Sequence, residues 1–331
     1  MRRASHSATS RQVQPRNAVL DGLRPYTLWF VLLLLLGTMS LVSPKFLTLE
    51  NFFSVFRNVT YVAMISFGLT FVFLAGGFDL SQGAVLILSA MVINSFNPQT
   101  PQTFAATVAL VIVVAGGIGS LNGFLCGVLQ LNSFVVTLAT RYIVGGVGFM
   151  YAAGAVVGGA AQGPLMEAIG LNRLFNLIPI TTVVWVLAGA LCWFVIQYSP
   201  YARKITVVGS SWRTARYSGL RVERLQMSTY VINSVLAGAA GILVACQTSF
   251  IAPTLVWFYD FDAITACALG GISLSGGKGN IVNALCGVLL LGFINNSMVL
   301  LGIPSSLQSV LKGMILMAAI IIDIQGKRRR E

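Results

Sequence analysis

The feature that most constrains this chain is a series of continuous apolar stretches, several of about 18 residues or more. Each is long enough to cross a hydrocarbon core about 30 Å thick. Hydrophobic residues make up 56% of the 331 residues and charged residues only 9%, against about 25% charged in a typical soluble domain. A β-barrel would show short alternating segments instead. The sequence therefore predicts an all-α, polytopic membrane protein.

Ten membrane-spanning helices are predicted from these runs. Two of them are weaker: 133–155 contains Arg141 and several glycines, and 262–276 is short and begins beside Asp260 and Asp262. Either is compatible with a re-entrant or broken helix, which is tolerated where the backbone is buried in protein or lines a cavity. The ten runs lie at about 26–43, 53–75, 80–96, 104–130, 133–155, 178–197, 227–247, 262–276, 281–301 and 308–324.

The domain organisation follows from the position of these runs. We interpret 26–324 as one transmembrane domain, and 1–25 and 325–331 as basic cytoplasmic tails. The first run is interpreted as a retained span, because it lacks a clear cleavage site of a signal peptide.

The net charge of +12 is concentrated outside the apolar runs. An even number of spans places both termini and the polar segment 198–226 on one side. The positive-inside rule then predicts that this side is the cytoplasm, so the charge does not indicate nucleic-acid binding. Fifteen of the 21 basic residues lie in these places: Arg2, Arg3, Arg11, Arg16, Arg24, Arg203, Lys204, Arg213, Arg216, Arg221, Arg224, Lys327, Arg328, Arg329 and Arg330.

Cysteine and histidine do not indicate a metal or catalytic site. The single histidine, His6, is in the N-terminal tail, and no two cysteines form a CxxC pair. We interpret the cysteines as buried packing residues and expect no metal or cofactor in this chain. The five cysteines are Cys126, Cys192, Cys246, Cys267 and Cys286.

An internal similarity links two glycine-rich stretches. Residues 76–83 and 270–277 share the form G-G-x-[DS]-L-S-x-G. If this similarity reflects duplication, five spans per half would make the two halves inverted in the membrane. The first stretch has two interpretations that do not exclude each other: Asp79 or Ser81 caps the next helix, or these polar groups line a solute path.

These motifs resemble those of ribose-type ABC sugar permeases. Residues 75–84 read Ala-Gly-Gly-Phe-Asp-Leu-Ser-Gln-Gly-Ala and are similar to the family's G-G-I-D-L-S-V-G-A signature, with Phe78 and Gln82 as departures. Residues 268–279 resemble the second glycine-rich signature, and 295–313 the C-terminal part. The resemblance extends from about 46 to 324 and covers permeases for ribose, xylose, galactose, allose and autoinducer-2.

The basic segment 199–226 is too apolar for a mere spacer, and 211–218 is predicted to form a short helix that ends at Gly219. It is similar to the family's cytoplasmic coupling element, which docks on an ATPase subunit. The residues that match this pattern are Gly209, Thr214, Ala215, Arg216, Ser218, Gly219 and Leu220.

The partners follow from the resemblance and from a missing motif. The closest approach to a phosphate-binding loop, 276–279, has Ile272 and Gly279 where a Walker A motif needs Gly and Ser or Thr. ATP is therefore expected to bind a separate subunit. The resemblance also implies an extracytoplasmic sugar-binding protein, a second permease copy or paralogue, and the bacterial inner membrane.

Polar residues within the spans are candidates for the substrate path, although hydrogen bonding between helices explains each equally well. An ion-coupled secondary transporter would use Asp79, Asp260 or Asp262, each near a span end. A branched-chain amino-acid permease is another alternative, but the first signature favours sugar. A membrane-embedded enzyme would need a catalytic cluster that the sequence lacks. The path candidates are Asp79, Ser81, Asn94, Asn122, Asn233, Asn295 and Asn296.

Overall fold

A computed structural model describes residues 27–158 and 162–328, and these are mostly helical, as predicted. The predicted tail 1–25 lies outside the described residues, and so do residues 329–331 of the predicted tail 325–331.

Fourteen α-helices occur in the described residues, and two small antiparallel strand pairs, β1 with β4 and β2 with β3, accompany them. The helices are α1 (Thr27–Val42), α2 (Leu49–Asn58), α3 (Thr60–Leu74), α4 (Gln82–Phe96), α5 (Pro101–Gly123, extended by a π-turn at Phe124–Val128), α6 (Ser133–Tyr151), α7 (Pro164–Leu171), α8 (Ile180–Tyr198), α9 (Pro200–Ser210), α10 (Trp212–Tyr217), α11 (Val222–Gln247), α12 (Val256–Leu269), α13 (Ile281–Leu300) and α14 (Ser305–Arg328). The strands are β1 (Val157–Gly158), β2 (Arg173–Leu174), β3 (Ile178–Pro179) and β4 (Phe250–Ile251).

Each predicted span coincides with a helix or a helix pair, but ten membrane crossings remain a prediction. By length and apolarity, five helices of the described chain can cross a membrane, namely α5, α6, α8, α11 and α13, and the bent pair α2–α3 makes a sixth. The limits predicted for the span 262–276 were wrong. Helix α12 ends at Leu269, and an irregular segment follows it to the start of α13.

Helices α2 and α3 meet at an angle of 48°. The carbonyl of Arg57 accepts hydrogen bonds from the Thr60 hydroxyl (2.7 Å) and from the Gln247 amide (3.2 Å). Side chains that bond to the backbone of a helix in this way are a common cause of bends. The bend therefore has a local cause in Thr60 and a tertiary one in Gln247, at the end of α11.

Helix α11 is the centre of the bundle and packs most extensively on α5, α3 and α4. Glycines every four residues along α5 allow this approach. A Cβ added at Gly119 would lie 2.7 Å from the Tyr230 carbonyl oxygen, and one at Gly123 would lie 2.8 Å from the backbone of Met227. Such close contact between small residues is the usual device for packing helices in lipid. A Cβ added at Gly117 of the same helix would meet no atom within 4 Å, so this glycine serves no such contact.

The two glycine-rich stretches lie at the same end of the bundle. Each ends a helix with a left-handed glycine, Gly76 at φ 76° and Gly271 at φ 75°. The backbone N–H of Gly277 donates to the carbonyl of Leu74 (3.2 Å), so the two turns are in contact. Inverted halves would place equivalent turns on opposite sides of the membrane. This similarity therefore gives no support to the predicted inverted repeat.

Candidate functional site

The chain reverses into the bundle between α3 and α4. After the turn at Gly76, residues 77–81 are not helical, and α4 begins only at Gln82. Asp79, Ser81 and Gln82 are at most 1% exposed. The start of α4 is thus enclosed in protein, and its free backbone N–H groups need acceptors there.

Two carboxylates supply those acceptors. Asp79 Oδ1 accepts from the Ser81 backbone N–H (2.8 Å) and from the Ser81 hydroxyl (2.6 Å). Asp260 of α12 accepts from the N–H of Gly83. Negative charge at a helix N-terminus is favoured by the helix dipole. The capping interpretation of Asp79 is consistent with these contacts, whereas the Ser81 side chain caps no helical N–H.

Four predicted path residues belong to one buried network, namely Asp79, Ser81, Asn122 and Asn233. Asn122 of α5 donates its amide to the Ser81 hydroxyl (3.0 Å), and Thr140 of α6 donates to Asn122 Oδ1 (2.6 Å). Asn233 of α11 donates to Asp79 Oδ2 (3.1 Å). Asp79, Ser81 and Asn122 are therefore brought together with groups from α5, α6 and α11. All three are closed to solvent, so their immediate role is to join helices.

An ion pair that the sequence did not predict lies beside this network. Arg141 Nε is 2.9 Å from Asp260 Oδ2, and the two side chains are 4% and 1% exposed. The guanidinium also lies over the Phe261 ring, 5.3 Å from its centroid. Buried charges are tolerated when they are paired. The available signal was a pair of opposite charges, Arg141 within one apolar run and Asp260 beside the start of another.

A second carboxylate of α12 contacts the outer helices. Asp262 Oδ2 accepts from the Tyr61 hydroxyl (2.7 Å) and pairs with the Lys312 ammonium (3.1 Å). Helix α12 therefore holds α3, α4, α6 and α14 through two carboxylates two residues apart.

Two further predicted path residues, Asn295 and Asn296, lie in a different place. Asn296 of α13 and Asn51 of α2 exchange two amide hydrogen bonds, of 2.8 and 3.0 Å. Asn295 and Asn296 line a cavity of about 470 Å³ between α13 and the α2–α3 pair. Of the seven predicted path residues, four thus belong to the buried network and two lie at this cavity. The seventh, Asn94 of α4, is buried, and its amide nitrogen makes no hydrogen bond among the described residues.

The basic segment folds as two helices, and the prediction of a short helix ending at Gly219 is confirmed. Ser211 caps α10 by accepting from the Thr214 N–H (3.2 Å). At the other end, Gly219 has φ 77°, its N–H donates to the Arg216 carbonyl and the N–H of Leu220 donates to the Ala215 carbonyl. This pair of bonds is a Schellman C-cap, which glycine favours.

The six predicted coupling residues divide into two classes. Ala215 and Leu220 pack with Val208 and Val222 and fix α10 to its neighbours. Thr214, Arg216, Ser218 and Gly219 are exposed. Arg216 lies over the Trp212 ring at 5.0 Å and 3.6 Å from Glu223. Only the exposed residues are available to a docking partner.

Helix α9 connects α10 to both glycine-rich turns. A Cβ at Gly209 would lie 2.0 Å from the Leu74 carbonyl oxygen, and one at Gly276 would lie 2.7 Å from the Gly209 carbonyl oxygen. Backbones approach this closely only where side chains are missing. At the start of α9, the Tyr201 hydroxyl is 2.7 Å from the Ser228 hydroxyl, and burial raises the pKa of this phenol.

Comparison with known proteins identifies the family. Residues 51–320 match the family described as "Branched-chain amino acid transport system / permease component". The chain belongs to this permease family. It is a helical membrane protein of the permease type.

The curated relatives are named as sugar import permeases. The ribose import permease protein RbsC of Bacillus subtilis is 32% identical over 93% of this chain and 94% of its own length. The L-arabinose ABC transporter permease protein AraH of Azospirillum brasilense is 29% identical over 91% of this chain and 87% of its own. The galactose/methyl galactoside import permease protein MglC of Haemophilus influenzae is 27% identical over 93% and 96%. No solved structure matches at a significant level.

Proposed function

We propose that this chain is the membrane-spanning permease subunit of an ABC importer for a small sugar, which is a pentose, a hexose or a related furanosyl compound. The observation that carries the proposal is the similarity to sugar import permeases over about nine tenths of the chain. The chain forms the path for the sugar and alternates between an outward-facing and an inward-facing conformation. ATP is hydrolysed by a separate subunit.

Docking of the ATPase subunit is assigned to the exposed residues of α10. Thr214, Arg216, Ser218 and Gly219 face outward at the end of a rigid, capped helix. Because α9 touches both glycine-rich turns through Gly209, a shift of α10 is passed to the ends of α3 and α12. ATP binding changes the balance between outward and inward states by its differential affinity for them.

The remaining partners follow from the same assignment. A binding protein delivers the sugar at the outer face, and a second copy or a paralogue completes the path. We assign the chain to a bacterial inner membrane with both termini and 199–226 on the cytoplasmic side, because the positive-inside rule favours that side for basic segments. The description of the family, which mentions branched-chain amino acids, keeps an amino-acid cargo as the second candidate.

Co-purification of the tagged chain from native membranes tests the assignment. We expect an ABC-type ATPase subunit and a sugar-binding protein to be recovered with it in mild detergent, together with ATPase activity. The double variant Arg216→Ala/Gly219→Ala should lose the ATPase subunit, because it removes an exposed cation and strains a left-handed position by about 1 kcal/mol. Lys204→Ala, an exposed change on α9, is the matched control.

Two results would contradict the docking assignment. The first is full recovery of the ATPase with the double variant at unchanged thermal stability. The second is loss of the ATPase subunit with Lys204→Ala as well. That result would indicate that docking depends on the positive charge of the whole segment and not on α10.

A further inference from the structure

A stripe of polar side chains follows one face of the bent pair α2–α3. Asn51, Ser54, Asn58 and Tyr61 are three or four residues apart, which places them on one side of a helix. All four line the cavity of about 470 Å³ that also contains Asn295 and Asn296. Polar residues thus face one another across the cavity, from α2–α3 on one side and from α13 on the other.

The cavity extends from the outer end of α13 into the bundle. Its lining on α13 runs from Leu300 to Leu291, a rise of about 14 Å. Of its amide and hydroxyl residues, Ser54 and Asn58 are exposed and the others are partly buried. Hydrocarbon tolerates such groups poorly, and polar residues in spans face the protein interior or water. The cavity is therefore a place for water or a polar solute.

One acceptor in the cavity has no partner. Asn295 Oδ1 is shielded from solvent and makes no hydrogen bond among the described residues. A buried acceptor left unpaired is unfavourable, so a rotation of this amide toward the cavity that lets it accept from a solute hydroxyl favours binding. Asn51 and Asn296, by contrast, satisfy each other and hold the walls together.

The entrance differs in charge from the interior. A neighbouring cavity of about 490 Å³ shares Asn51, Ser54 and Leu300 with the first one. Its lining adds the charged residues Lys45, Glu50, Arg57 and Arg173. A solute passes from charged groups to an interior whose polar groups are uncharged amides and hydroxyls, set among apolar side chains such as Val55, Val59 and Leu291. Such a lining suits a neutral molecule with several hydroxyl groups.

We propose that this amide-lined cavity is the site where the permease binds its sugar on the outer side. The inference rests on the proposed function, and it names the residues that select a neutral polyhydroxyl solute. Tyr61 lines the cavity and donates to Asp262 of α12. The far end of α12 leads into the second glycine-rich turn, which contacts Gly209 of α9. Occupancy of the cavity is therefore mechanically connected to the docking segment.

Cysteine labelling of the complete importer in detergent tests the site. Ser54→Cys is treated with a charged methanethiosulfonate reagent, and Phe56→Cys, two residues away and packed on Trp185 (ring centroids 5.9 Å apart), is the matched control. The native cysteines are buried, and the unmodified chain gives the blank. We expect Ser54→Cys to react faster than Phe56→Cys and to be slowed by at least one of D-ribose, L-arabinose, D-galactose and D-fructose, but not by L-leucine.

A kinetic variant gives a second readout. Asn295→Leu removes the unpaired acceptor and should raise KM for the transported sugar about tenfold, which corresponds to the loss of about one hydrogen bond.

The outcomes separate the two proposals. Slow labelling of Ser54→Cys, or labelling that none of the four sugars slows, overturns the assignment of the cavity as the sugar site, even if sugar uptake is normal. Uptake that needs an ion gradient instead of ATP overturns the proposed function, whatever the labelling shows. Protection by sugar together with a raised KM supports the site.

Discussion

Arg141 and Asp260 are enclosed in the bundle and neutralise each other at 2.9 Å. Asp260 also accepts from Gly83 at the start of α4, so the pair fixes where the buried helix begins. The cost of removing either charge from water is offset only while its partner is present. The ion pair therefore fixes the position of α4, a role that requires no contact between the pair and the sugar.

We expect Arg141→Met to destabilise the protein by about 3 kcal/mol or more, because Asp260 would keep a buried charge without a partner. The double variant Arg141→Met/Asp260→Asn should recover part of that loss, since no charge is left unpaired. Thermal unfolding in detergent measures both, with the exposed Arg213→Met as control. A double variant that is no more stable than Arg141→Met would show that the pair is not energetically coupled.

Helix α9 is the element that joins the docking segment to the membrane domain. Its last turn, at Gly209, lies against the end of α3 and against the second glycine-rich turn. No side chain fits between these backbones, so a displacement of α9 moves both turns. Gly209 is needed at this contact because the backbones approach each other closely. Gly76 is needed for a second reason, its left-handed backbone conformation.

Gly209→Ala is expected to reduce sugar uptake per ATP hydrolysed several-fold, because its Cβ would lie 2.0 Å from the Leu74 carbonyl oxygen and must push α9 away. Gly117→Ala, on α5 with no atom within 4 Å, should leave the ratio unchanged. Uptake and phosphate release are measured on the same proteoliposomes, and gel filtration checks folding. Equal ratios in the two variants would show that this contact does not transmit the movement.

Across the whole molecule, two polar systems lie at different depths, and α12 connects them. Asp262 contacts Tyr61 at the outer cavity, Asp260 holds the start of α4, and the segment after Leu269 reaches Gly209. Helix α11 provides the fixed centre against which these parts are packed. In the proposed assignment, the outer cavity and the docking segment are therefore joined by a continuous connection through α12 and α9.

The sequence predicted the local features of this arrangement well. Helix α10 and its end at Gly219 follow from a capping serine and a left-handed glycine, which are rules over a few residues. The meeting of Asp79, Ser81 and Asn122 in one network depends on the packing of distant helices. The polar stripe of α2–α3 could have been found from the spacing of Asn51, Ser54, Asn58 and Tyr61. It was missed because membrane spans are recognised by their apolar residues, and a polar stripe within a span adds nothing to that signal.

Transport by the complete importer in proteoliposomes tests the central claim most directly. The chain is reconstituted with its ATPase subunit and binding protein, and uptake of radiolabelled D-ribose, L-arabinose, D-galactose, D-fructose and L-leucine is measured. The account predicts uptake of at least one sugar that requires ATP and is unaffected by a proton ionophore. Uptake that the ionophore abolishes and ATP does not restore, or uptake of leucine alone, would contradict it.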